Sequence, residues 1–207
     1  MKHTLLALAS ALVISQSVFA DEQRSISKTF SQGASHELAI EFPVGQLDIQ
    51  TTEGDNIEIN VVLKPKTDDS WFSKNVELDK IEIESKQRGS ELYLTIDNDE
   101  IQQEWSVKVP KSMALDIELG VGNVEVESLA NSADIEVGVG KVRINSHEND
   151  FRSIALESGV GKSHIKGFEN NIEYTKNMVS SDMKYRGQGQ YTIKVEVGVG
   201  DAKFEKI

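Results

Sequence analysis

The chain has 207 residues, with 22 Lys and Arg against 34 Asp and Glu, a formal net charge of −12, and no cysteine. Such a field repels nucleic acid and anionic membrane on average, while leaving room for a local basic patch. Without cysteine there is no disulfide and no lipid-anchoring thiol.

Residues 1–20, "MKHTLLALASALVISQSVFA", begin with Lys2 and His3 and continue as an apolar run. Val18 and Ala20 stand at the −3 and −1 positions before Asp21, which predicts a Sec signal cleaved after Ala20 and a periplasmic, secreted or surface-associated product. No second run of membrane length follows. Only Lys2 leaves the charged tally with this segment, so 21 basic and 34 acidic residues remain, a balance of −13. Residues 21–110 read as an irregular N-terminal β region. Alternating runs fall at Leu38–Gln50, Ile57–Leu63, Ile81–Glu84, Leu92–Ile96 and Trp105–Val109. The polar insertion Lys64–Lys80 carries Trp71 and Phe72, expected to fold back as a cap over one end.

Residues 111–207 are organised by a repeat. Gly-Val-Gly recurs at Gly120–Gly122, Gly138–Gly140, Gly159–Gly161 and Gly198–Gly200. The central valines, Val121, Val139, Val160 and Val199, are 18, 21 and 39 apart, so a degenerate copy is expected at Met178. Apolar columns flank each centre: Ile117, Ile135, Leu156, Tyr174 and Val195 before it, and Val126, Ile144, Ile165, Met183 and Phe204 after it. Strand, Gly-x-Gly, strand predicts an all-β, single-stranded β-solenoid of 18- and 21-residue coils, stacked in sequence order with the central valines inward. Leu129 and Phe168, 39 residues apart, are expected to plug the core at the short corners. The first glycine of each pair is expected to take positive φ, and the second to let backbones approach. The last coil ends near the C-terminus, and its open edge would invite self-association.

The segment "WSVKVPKSMALDIELGVGNVEVESL" (Trp105–Leu129), with the Gly-x-Gly coils after it, resembles the bacterial toast-rack, or putative-adhesin, β-solenoid family of envelope proteins. The resemblance covers residues 35–207. It implies a right-handed β-helix-like solenoid, an envelope location, no enzyme activity and no catalytic residue.

Three groups of residues invite a chemical reading. "LESGVGKS" (Leu156–Ser163) ends like a phosphate-binding loop, but Leu156 stands where that loop needs glycine and a strand pattern follows instead of a helix. Before the glycines, outward columns carry Asp116, Glu118, Asp134, Glu136 and Glu157, an acidic ladder that is either a solvated face or a calcium site. After them the sign changes: Lys141, Arg143, Lys162, His164, Lys166 and Lys184 form a basic island suited to an anionic glycan, a lipid headgroup or an acidic envelope protein. His147, Glu148 and Asp150 fall short of a metal signature.

No cofactor is implied. The leading reading is a non-catalytic exported scaffold or interaction module. The alternatives are a β-helix glycan-active enzyme using the acidic ladder, and an adhesin or self-assembling subunit.

Overall fold

A computed structural model describes residues 23–66 and 76–207. The expected signal segment and the expected Trp71–Phe72 cap lie outside the described residues. The strands, in chain order, are β1 (Arg24–Ser31), β2 (Glu37–Thr52), β3 (Asn56–Pro65), β4 (Glu84–Arg88), β5 (Glu91–Thr95), β6 (Ile101–Pro110), β7 (Ala114–Glu127), β8 (Ala133–Ser146), β9 (Ser153–Val160), β10 (Ser163–Lys166), β11 (Ile172–Lys176), β12 (Ser181–Arg186) and β13 (Thr192–Lys206). All thirteen belong to one sheet. The only helical element among the described residues is a 3-10 turn at Leu78–Lys80.

The middle of the molecule is a stack of long bent strands. β2, β7, β8 and β13 pair in parallel and in register, each passing through the same corner: Val44 lies against Val121, Val121 against Val139, and Val139 against Val199. The first leg of β7 buries Leu115, Ile117 and Leu119, and the second buries Val124 and Val126. The inward alternation therefore slips by one residue across Gly120–Asn123. The corner turns Val121 outward, 48% exposed, and Val139, Val160 and Val199 do the same. This corrects the expectation of inward central valines; Leu119 and its equivalents fill the core instead.

The second glycine has the expected close backbone approach, but it also takes the positive φ expected of the first. Positive φ falls on the second glycine of each pair: Gly122 at 149° and Gly140 at 155°. A Cβ on Gly140 would lie 1.5 Å from the carbonyl oxygen of Gly122 in the coil below. Close approach applies to both members, since a Cβ on Gly138 would sit 2.6 Å from the Gly120 oxygen.

The coils do not stack in sequence order. β13 lies between β8 on one side and β9 with β10 on the other, parallel to all three. The final strand is thus interior, and the expected open C-terminal edge does not exist. The degenerate copy at Met178 is not a coil either. β11 and β12 form an antiparallel hairpin, with Met178 fully exposed at its turn, and β12 closes the stack antiparallel to β9. The other end is closed similarly, by β4 on β5 and by β1 and β3 on β6.

Inward side chains explain the order. β13 offers Ile193, Val195, Val197, Ala202 and Phe204 to the core. The β9–β10 coil instead carries Ser158 and Ser163, both buried. A buried hydroxyl is costly without a partner. At the end of the stack both have one: Ser158 Oγ donates to Gly200 O at 2.7 Å, and Ser163 Oγ to Ser181 O at 2.7 Å. The serine coil sits between β13, which satisfies Ser158, and the β12 cap, which satisfies Ser163, and the fully apolar coil goes inside. Leu129 is buried as expected, and Phe168 packs on the core, stacked on Tyr185 at 4.0 Å.

Candidate functional site

On β8, β13 and the β9–β10 coil the two legs present outer faces of opposite character. On the first leg, register lines up Glu41, Glu118, Glu136, Glu196 and Glu157 on successive strands, about 4.8 Å apart. Beside this row run Asp116, Asp134 and Lys194. Like charges in register repel. Burial, then Asp134, Glu91 and Glu136, raise the carboxyl of Asp116, and burial with Glu41, Asp116 and Glu136 raises that of Glu118. Lys194 relieves the repulsion. Its Nζ lies 2.8 Å from Glu196, 3.4 Å from Glu136 and 3.5 Å from Asp134, and the hydrogen bond to Glu196 leads the causes that raise its pKa. Insertion of β13 is what brings Lys194 next to Asp134. Among the described residues, no three Asp, Glu or His side chains are placed to hold a metal ion. The ladder remains an acidic face, with Lys194 relieving the repulsion at its centre.

The second leg carries the basic face. In its upper row Lys141 of β8 pairs in register with Asp201 of β13, whose Oδ1 accepts the Lys162 backbone N–H at 3.1 Å. The middle row is Arg143, Lys203 and His164, on three adjacent strands. Below it Asn145 and Glu205 lead to Lys166. Lys141, Arg143, Lys162, His164, Lys166 and Lys203, with Asp201, line an open groove of about 350 Å³. Lys203 is ion-paired with Glu205, whose carboxyl is held low chiefly by that bond, with Lys166 and His164 adding to it. Lys141, Arg143, Lys162, His164 and Lys166 make no ion pair among the described residues. A larger groove of about 720 Å³ lies on the same sheet near β1, lined by neutral and acidic groups such as Ser27, Asn60, Asp48 and Glu125, with Lys108 held by Glu58.

The island therefore differs from its sequence outline in two members. Lys184 is not part of it. β12 runs antiparallel on the first leg, placing Lys184 opposite Ala155 and 3.2 Å from Glu157. Lys203 takes the central position instead, because β13 lies between β8 and β10. Sequence alone places Lys203 in the correct column but cannot say which column is next to it.

Another polar site escapes sequence reasoning altogether. Asp150 accepts from Tyr185 Oη at 2.6 Å, from Gln188 N at 2.7 Å and from Phe151 N at 2.8 Å. This clamps the loop that leads into β13. The hydrogen bonds hold the Asp150 carboxyl below its usual range, while burial and Asp150 push Tyr185 up to about 12. His147 stays exposed and takes no part. The glycines of "GVGK" at 159–162 form the corner of the serine coil, and Ser163 points inward to its partner on β12.

Residues 15–166 match the family described as the N-terminal domain of toast_rack, DUF2154. No curated protein matches the sequence significantly. Among solved structures, a putative cell adhesion protein from Clostridium sporogenes is 17% identical, with a TM-score of 0.53 covering 90% of this chain and 100% of that one. That likeness concerns the fold alone. A putative adhesin from Parabacteroides distasonis is 12% identical, with a TM-score of 0.32 over 89% of this chain and 71% of the other, too low to carry an argument.

Proposed function

Because the chain belongs to the toast-rack family, whose N-terminal domain matches residues 15–166, we propose that it is a non-catalytic, exported β-solenoid of right-handed type serving as an interaction module of the bacterial envelope. Its basic face binds an anionic envelope polymer, for which an anionic glycan is the best fit. The observation that carries this reading is the row Arg143–Lys203–His164, flanked by Lys141, Lys162 and Lys166. Five Lys and Arg side chains, with His164 among them, gathered on and beside three strands of a protein with net charge −12 form a local field opposite to the global one. The apolar N-terminal segment with its Val18–Ala20 site supports export. The Clostridium sporogenes relative is called a putative cell adhesion protein, and an adhesive role is carried over as part of the proposal.

The test is retention of the mature chain on immobilised dextran sulfate. Retention is expected at low salt, falling steeply as salt rises. Arg143→Glu/Lys203→Glu should abolish it without changing the far-UV spectrum. If the double variant elutes like the wild type, the basic face is not the site.

A further inference from the structure

The outward valines form a continuous apolar ridge. Val121, Val139, Val199 and Val160 follow one another on successive coils, each close to half exposed. Val44 extends the line at one end. At the other, Gly161 N donates to Val179 O at 3.1 Å, so the hairpin turn brings Val179 and the fully exposed Met178 beside Val160. Of the large apolar side chains most exposed among the described residues, only Tyr174 and Ile207 lie off this ridge. Glycines on both sides of Val121, Val139, Val160 and Val199 leave each standing proud, with no side chain on its chain neighbours to cover it. A contiguous apolar stripe of this kind marks an interaction surface.

We propose that the ridge is a self-association surface and that its occupant is a second copy of this chain, packed ridge to ridge about a two-fold axis parallel to the stack. Two observations select that partner. The ridge repeats at the strand spacing, about 4.8 Å, and a second copy offers the same repeat position by position. Charges on its flanks are complementary under that symmetry, which lays the acidic leg of one copy over the basic leg of the other. Glu136, three residues before Val139, then meets Lys141 of the second copy, and Glu157 meets its Lys162. Farther along, Glu118 and Glu41 meet the amides Asn123 and Gln46. In the row nearest the ridge the one like-charge meeting, Glu196 with Asp201, has Lys194 beside it, 2.8 Å from Glu196; one row farther out Asp134 meets Arg143, while Asp116 meets Glu125 and Lys194 meets Lys203. An axis across the stack would instead set acidic leg on acidic leg. A ridge one side chain wide gives a small interface, so the dimer is weak and salt-sensitive.

Sedimentation equilibrium of the mature chain across the micromolar range is the test. A dimer should grow with concentration. Val139→Asp/Val199→Asp should leave a monomer with an unchanged melting temperature, and Val139→Ser/Val199→Ser serves if aspartate disturbs the corner. Glu136→Lys and Lys141→Glu should each weaken the dimer, and combined in one chain they should restore it. A wild type that is monomeric throughout, or a dimer indifferent to the ridge variants, overturns the proposal. The measurement reads mass, not polyanion retention, and the valine variants keep Arg143 and Lys203, so its failure is distinct from that of the anion-binding reading.

Discussion

Gly140 and Gly89 both hold positive φ, at 155° and 63°, yet their surroundings differ completely. A Cβ on Gly140 meets the carbonyl of the coil below at 1.5 Å, whereas one on Gly89 meets nothing within 4 Å. Gly140→Ala is expected to lose about 3 kcal/mol or more, because strain and backbone collision add. Gly89→Ala should lose only about 1–2 kcal/mol, the left-handed penalty alone. Urea midpoints of the two variants measure the difference, and equal losses would refute the stacking role of the corner. Asp150 and Tyr185 make a second residue-scale prediction. The folded pKa of Asp150 is depressed, so its contribution is present above the unfolded value of about 3.9 and lost as pH falls through the folded one. Tyr185 is raised to about 12, so its contribution is present below about pH 10 and lost as pH rises toward 12. Tyr185→Phe should remove the alkaline decline at a cost of about 1.5 kcal/mol at neutral pH, and Asp150→Asn the acid one. Chemical denaturation followed against pH reads both arms.

At the scale of elements, β13 governs the C-terminal half. The β9–β12 group meets the rest of the sheet only through it. A C-terminal strand ordinarily frays, but this one is hydrogen-bonded on both sides along most of its length. Hydrogen exchange should therefore find the amides of Val195, Val197 and Ala202 among the slowest in the chain, and those of β11, an edge strand with mostly exposed residues, among the fastest. Fast exchange throughout β13 would contradict the insertion. The same insertion sets the electrostatics of both faces, delivering Lys194 to the acidic ladder and Lys203 to the basic row.

For the whole molecule, ends and faces have separate tasks. Antiparallel strands close one end of the stack and the first leg of the other, where the outer amides of β10 are met by Ser181 Oγ and Met183 Sδ instead of a strand. The acidic ladder, with Lys194 at its centre, and the apolar ridge run along the stack, whereas the basic groove is confined to β8, β13 and β10. The dextran sulfate and sedimentation experiments address the groove and the ridge as properties of the full chain.

Much of this was legible in the sequence because it is local. Period-two alternation identifies strands such as β2, β3, β5 and β6, and the spacing of Gly-Val-Gly fixes the register in which Leu115, Ala133, Ile154 and Ile193 share a column. The charge columns follow from that register. Met178 misled because arithmetic on spacings cannot tell a coil from a hairpin of equal length. Stacking order is not local at all. β8, β9 and β13 carry the same register, so each fits beside the others, and nothing in their spacing ranks the arrangements. Only the tertiary structure chose, placing the coil with inward Ser158 and Ser163 where the final strand accepts from one and the cap from the other, and burying the wholly apolar final strand between its neighbours.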